Sequence, residues 1–197
     1  VKIFIVGLTS SGRTTVSKAL ADEDKYIYIA GSDWFNSTFR SINKNETTEN
    51  YNLDLLNYRS IRLKINPFLF IDNVLDIIDA YCEDDNFVID GITNPKDFVH
   101  LFDYNKDIII FLNRADMPDD PKNHEGIALN IMRDYCLYLT TVGLLDRSRW
   151  LEYNFRIPGE DSDFVKQLGK HNIITITKSI NKAIDHLKGE LCKLQPQ

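Results

Sequence analysis

The sequence predicts an α/β domain built on a largely parallel sheet of five strands. Two observations carry the prediction. Five short apolar runs rich in β-branched residues recur along the chain, each closed by Gly, Asp or a polar residue, and amphipathic helical stretches separate them. Strands buried on both faces read as continuous apolar runs, which is how these read. At 197 residues, with 43% hydrophobic and 26% charged residues, the chain has the length and composition of one globular domain, 1–197.

The first run, Val1–Val6, ends at Gly7, and a helix is expected from Thr14 to Ala21. A second run, Tyr26–Ala30, is closed by Gly31 and followed by "SDWF". A helix-rich insertion of about 34–83 then begins, with a polar loop at Asn43–Asn52. Within it, Asn66-Pro67 has the form of a helix start, and Phe68, Ile71, Leu75, Ile78 and Cys82 recur at helical spacing, which marks them as expected core. The third run, "NFVIDG", ends at Asp90 and Gly91, and the fourth, "KDIIIFLNR", ends near Arg114. "MPDDPKNHEG" leads into a helical pattern from about Ile127 to Asn154. The fifth strand is expected at Asn172–Ser179, before a last amphipathic helix.

Several function classes are disfavoured by composition. A net charge of −6 provides no general basic surface for nucleic acid or anionic membrane, so any anion site is local. No apolar run approaches a membrane span, and "VKIFIVG" lacks the length and cleavage site of a signal peptide. The expectation is a cytoplasmic protein with no membrane partner. Cys82, Cys136 and Cys192 form no C-x-x-C pair and are expected as buried free thiols, and the four histidines have no ligand spacing.

The chemistry concentrates at "GLTSSGRTT". It follows the spacing G-x-x-x-x-G-K-[ST] at every position but the lysine, between a buried strand and a helix, where backbone amides and the helix N-terminus can cradle a phosphate chain. Gly7, Ser10, Ser11, Gly12, Arg13, Thr14 and Thr15 are the candidate triphosphate-binding residues, and the Thr14 hydroxyl is a candidate magnesium ligand. Arg13 stands where the pattern has lysine. Its planar guanidinium predicts a bidentate phosphate contact in place of a point charge, while Lys18 lies too far along the helix to replace it. Ligand sites in parallel sheets lie beyond the carboxyl ends of strands. Asp33 and Asp90 follow two such ends, Asp33 as a candidate general base or a helix N-cap, and Asp90 as a candidate magnesium-organising carboxylate or a turn residue.

Together "GLTSSGRTT", "SDWF" and "VIDGITNP" resemble the P-loop nucleoside and nucleotide kinases of the adenylate kinase-like group. The resemblance implies a three-layer fold with helices on both faces and the sheet order 2-3-1-4-5. It also implies ATP and Mg2+ as cofactors, an acceptor site between the second strand and the insertion, and a lid after the fourth strand, about 115–160. By this resemblance Asp33 matches the aspartate that contacts the acceptor hydroxyl, and Asp90 the carboxylate ending the third strand. Arg147, Arg149 and Arg156 fall in the lid region, where cations neutralise the transferred group, or else on a solvated helix face beside Asp146, Glu152 and Glu160. Arg133 is a further cation on the same expected helix.

More narrowly, "DGITNPKDFVHLFDYNKDIIIFLNR" and "HNIITITKSINKAIDHL" are similar to segments of small phage-encoded kinases, including those that phosphorylate 5-hydroxymethyluracil in phage DNA. That likeness implies a nucleotide-type acceptor, with modified DNA favoured, and the host cytoplasm as location. Trp34 and Phe35 are then candidates for stacking on an acceptor base, and Arg40, Arg59, Arg62 and Lys64 for a local basic surface. Kinases of a free nucleoside or nucleoside monophosphate, and a nucleotide-binding regulatory module without catalysis, remain the alternatives.

Overall fold

The computed structural model describes residues 1–8, 11–21, 26–42, 51–82, 85–114 and 124–155, together with Asp185. Strand β1 (Lys2–Gly7) leads through a loop into helix α1 (Arg13–Ala21), then β2 (Ile27–Ala30) and α2 (Gly31–Ile42). The insertion supplies α3 (Tyr51–Ile65) and α4 (Leu69–Asp79). The chain continues through β3 (Phe87–Asp90), α5 (Pro95–Leu101), β4 (Ile108–Arg114), α6 (His124–Thr141), a 3-10 turn at Arg147–Arg149 and β5 (Trp150–Phe155). All strand pairs are parallel, in the order β2-β3-β1-β4-β5. This is the order 2-3-1-4-5 that the family resemblance implied.

Alternation along the strands sorts side chains onto two faces. Ile3, Ile5, Val88, Ile108, Ile110 and Leu112 pack on one face with Val16 and Leu20 of α1. Phe4, Val6, Phe87, Ile89, Ile109 and Phe111 pack on the other with α4, α5 and α6, where Phe4 meets Phe98 and Phe102 edge to face. Each fully buried side chain of this size contributes about 1.5–3 kcal/mol. The sheet is therefore the rigid part that positions the loops at its carboxyl edge.

Three expectations need correction. The fifth sheet strand is Trp150–Phe155, within the stretch expected to be helical, whereas Asn172–Ser179 lies outside the described residues. Helix α6 stops because Gly143 adopts φ 75° and closes a Schellman motif, with Gly143 N–H donating to Thr140 O and Leu144 N–H to Leu139 O. The expected lid region accordingly holds, at 124–155, a helix packed on the core and an edge strand of the sheet.

The second correction concerns α4, which starts at Leu69 and buries Phe70, Ile71 and Val74, while Phe68 and Leu75 are exposed. The apolar stripe is rotated relative to the one expected, because tertiary contact selects Phe70 where periodicity suggested Phe68. Asn66 still organises the start, its Oδ1 accepting from Phe68 N–H at 2.9 Å. Third, Cys82 is an exposed thiol, whereas Cys136 is buried as expected, and burial pushes its pKa up to about 12. Cys192 lies outside the described residues.

Candidate phosphate-binding site at the carboxyl edge

β1 ends and α1 begins around a tight backbone. A Cβ on Gly7 would stand 2.6 Å from both Leu112 O and Ser11 Oγ, so only glycine fits between β1, β4 and the loop. Gly12 has φ 87°, a left-handed conformation that favours glycine, and its carbonyl accepts the first helical bond from Val16 N–H at 3.0 Å. Ser11 N–H donates to Leu8 O at 3.0 Å, while the buried Ser11 Oγ has no partner among the described residues. Thr9 and Ser10 lie outside the described residues. Thr14 and Thr15 are exposed in the first turn of α1.

Arg13 opens α1 and is half-buried. It lines a small hollow with Gly7, Ile92, Thr93 and Glu125, so its side chain runs across the end of β1 toward the start of α6. Lys18 is exposed on α1 and stands 5.8 Å over the Tyr28 ring.

Asp90 ends β3 beside β1 and is 4% exposed. Its Oδ2 accepts from Thr14 Oγ1 at 2.8 Å and from Tyr28 OH at 3.2 Å. Its Oδ1 is buried with no partner among the described residues. A turn aspartate would instead cap local backbone and face water. Burial first, then the neighbouring Asp90 charge and hydrogen bond, and then Asp33 push the Tyr28 phenol far above its ordinary pKa. Tyr28 thus joins the site, which sequence reasoning missed; a tyrosine two residues before the end of a strand is the signal, and it acquires meaning only when β2 pairs with β3.

The pair Thr14 and Asp90 fits a magnesium ion carried by a triphosphate, with the Thr14 hydroxyl as ligand and the orphaned Asp90 Oδ1 as acceptor for metal-bound water. Among the described residues no group of three or more His, Cys, Asp or Glu could hold a metal ion.

Asp33 lies in the first turn of α2, just past the carboxyl end of β2, and is exposed. The helix starts at Gly31, so Asp33 is inside it and is not its N-cap. A cleft of about 290 Å3, whose lining does not include Asp33, opens between α2, α3 and the segment after β3, with Gly31, Phe35, Arg59, Thr93, Asn94 and Asp97 on its walls. The Arg59 guanidinium stands 5.2 Å over the Phe35 ring. Phe35 is 2% exposed, and Trp34, half-buried, meets it edge to face at 4.9 Å. Asn94 caps α5 by accepting from Lys96 N–H at 3.0 Å and donates to Asp97 at 3.3 Å. Burial pushes the Asp97 carboxyl up to about 6, against the opposing pull of His100. Of the other basic candidates, Arg40 donates to Tyr51 OH at 3.1 Å, and Arg62 and Lys64 are exposed on α3.

The structure does not bring Arg147 and Arg149 to this site. They precede β5, whose first residue, Trp150, pairs with Ile109 near the start of β4. In a parallel sheet that is the amino edge, opposite the edge holding Gly7 and Asp90. Arg147 stacks on Trp150 at 4.6 Å and donates to its carbonyl, and Arg149 donates to Lys106 O. Arg133 pairs with Glu152 at 3.0 Å, tying α6 to β5, and Arg156 lies outside the described residues. Among the described residues no helix is long and apolar enough to cross a membrane.

No protein-family model and no curated protein matches the chain. Among solved structures it is similar to thymidylate kinase from Ehrlichia chaffeensis, at 13% identity and a TM-score of 0.49, with 96% of this chain and 97% of that one covered. It is also similar to a gluconokinase from Sinorhizobium meliloti 1021, at 10% identity and a TM-score of 0.39, with 96% of each chain covered. The fold assignment itself stands on the hydrogen-bonded strand order and on the glycine-bounded turn from β1 into α1.

Proposed function

We propose that the chain is an ATP- and magnesium-dependent phosphotransferase that moves the γ-phosphoryl group to a hydroxyl of a nucleotide-type acceptor. The observation that carries this reading is the 2.8 Å bond from Thr14 to the buried Asp90, set at the helix start of a loop that only glycine permits at Gly7. Loop amides of Gly7–Thr15 wrap the triphosphate, and Arg13 makes a bidentate contact with it. Thr14 would hold magnesium directly and Asp90 would hold it through water, and the ion would supply charge neutralisation across the phosphate oxygens. Asp33 orients the acceptor hydroxyl and takes its proton as the oxygen attacks. With Arg147 and Arg149 at the other edge, neutralisation of the transferred group falls to Arg13 and the loop amides.

The cleft between α2 and α3 suits a planar heterocycle, with Phe35 and Arg59 as an apolar and cationic wall and Asn94 and Asp97 as hydrogen-bonding groups. The favoured acceptor, by sequence resemblance, is the hydroxymethyl group of 5-hydroxymethyluracil in DNA. A free nucleoside or nucleoside monophosphate is the second reading, favoured by the modest cleft volume and the net charge of −6.

Incubation with γ-labelled ATP and hydroxymethylated DNA, ordinary DNA, nucleosides and monophosphates tests both. Label entering hydroxymethylated DNA alone supports the first acceptor, and label entering small molecules the second. ATP binding with no acceptor ever labelled would leave a regulatory nucleotide-binding module. Arg13→Ala is expected to lower transfer at least about 100-fold, as loss of a transition-state donor does; undiminished transfer would sink the loop assignment.

A further inference from the structure

Tyr28 is held in a position that the general reading of the site does not use. We infer that Tyr28 is a positioning residue for Asp90, locking the carboxylate so that Oδ1 stays available as an acceptor; the inference rests on the phosphate-loop reading above. A carboxylate held by one donor can turn about its Cβ–Cγ bond and exchange its two oxygens. Here two donors from different elements, Thr14 of α1 and Tyr28 of β2, converge on Oδ2 at 2.8 and 3.2 Å. Oδ1 is left buried and unpartnered among the described residues, a state that costs about 1–3 kcal/mol unless a ligand relieves it. The cluster therefore keeps one acceptor open.

Tyr28 is suited to this task because it remains a donor. A phenol is protonated at neutral pH, and this one donates to Asp90 Oδ2 at 3.2 Å. Phenylalanine would fill the same space and provide no donor. Tyr28 reaches neither the cleft of Phe35 and Arg59 nor the hollow lined by Arg13, so its hydroxyl acts through Asp90.

The test compares Tyr28→Phe with the wild-type chain, using Mn2+ as the metal probe. ATP affinity is measured with and without Mn2+, and the electron paramagnetic resonance of bound Mn2+ reports its surroundings. The expected result is that the gain in ATP affinity on adding Mn2+ falls about 10-fold or more, as for lost outer-sphere partners of metal sites, while metal-free ATP affinity stays within about twofold. A gain within twofold of wild type, with an unchanged Mn2+ spectrum, overturns the inference alone. Wild-type protein that binds no ATP with Mn2+ removes the phosphate-loop reading and this inference with it. Should Tyr28→Phe not fold, wild-type protein carrying 13C at tyrosine Cζ is titrated with Mg2+ in its ATP complex. One shifted tyrosine resonance supports the inference, and none overturns it.

Discussion

The two edges of the sheet each bury an aspartate, and the contrast separates a structural carboxylate from a site carboxylate. At the amino edge Asp107 is fully buried and fully satisfied. Lys2 N–H donates to Oδ1 at 3.0 Å, Asp103 N–H to Oδ2 at 2.8 Å, and the Lys2 ammonium pairs with Oδ2 at 3.0 Å. At the carboxyl edge Asp90 is nearly as buried, yet both of its donors fall on one oxygen and the other oxygen has no partner among the described residues. Folding alone would favour the first arrangement at both places. Retaining the second is what a ligand-binding role for Asp90 would require.

The largest effect is expected at the satisfied edge. Asp107→Ala leaves Lys2 without its counter-charge and orphans two backbone donors, for a loss of about 3 kcal/mol in unfolding free energy by urea titration. ATP affinity of the folded protein should be unaltered. A variant that binds ATP poorly at undiminished stability would break the comparison. Next in size, Asp90→Asn keeps the shape and is expected to lower magnesium-dependent transfer by about 10–100-fold, with a stability change under about 1 kcal/mol. If its unfolding midpoint drops as far as that of Asp107→Ala, Asp90 is structural after all. The smallest effect belongs to Arg147→Ala, which loses a cation-aromatic contact with Trp150 worth about 0.5–1 kcal/mol of stability. It should leave the KM for ATP and the transfer rate unchanged. A fall in rate would return the arginines of this segment to the reaction.

Much of the carboxyl edge of the sheet was legible because its signals are local. Gly7, Gly12, Arg13 and Thr14 lie within eight residues of one another, and a strand, a left-handed glycine and a helix start follow from neighbouring residues. Asp90 was legible as the last residue of an apolar run. The signals that misled were long-range or ambiguous in phase. Trp150–Phe155 carries alternating aromatic and polar residues that read equally as the tail of a helix, and Gly143 was the overlooked stop signal. In α4 two apolar stripes are available, and the choice between them is made by the sheet face it covers.

The amino-acid sequence by itself determined the first four strands, the glycine-bounded turn after β1, and the carboxylates that follow β2 and end β3, since these depend on local sterics and apolar patterning. Only the tertiary structure decided which segment completes the sheet beside β4, which edge receives Arg147 and Arg149, and that Tyr28 shares Asp90 with Thr14. Parallel strands pair across large sequence separations, and the edge on which a residue emerges depends on strand direction and register, which no local pattern encodes.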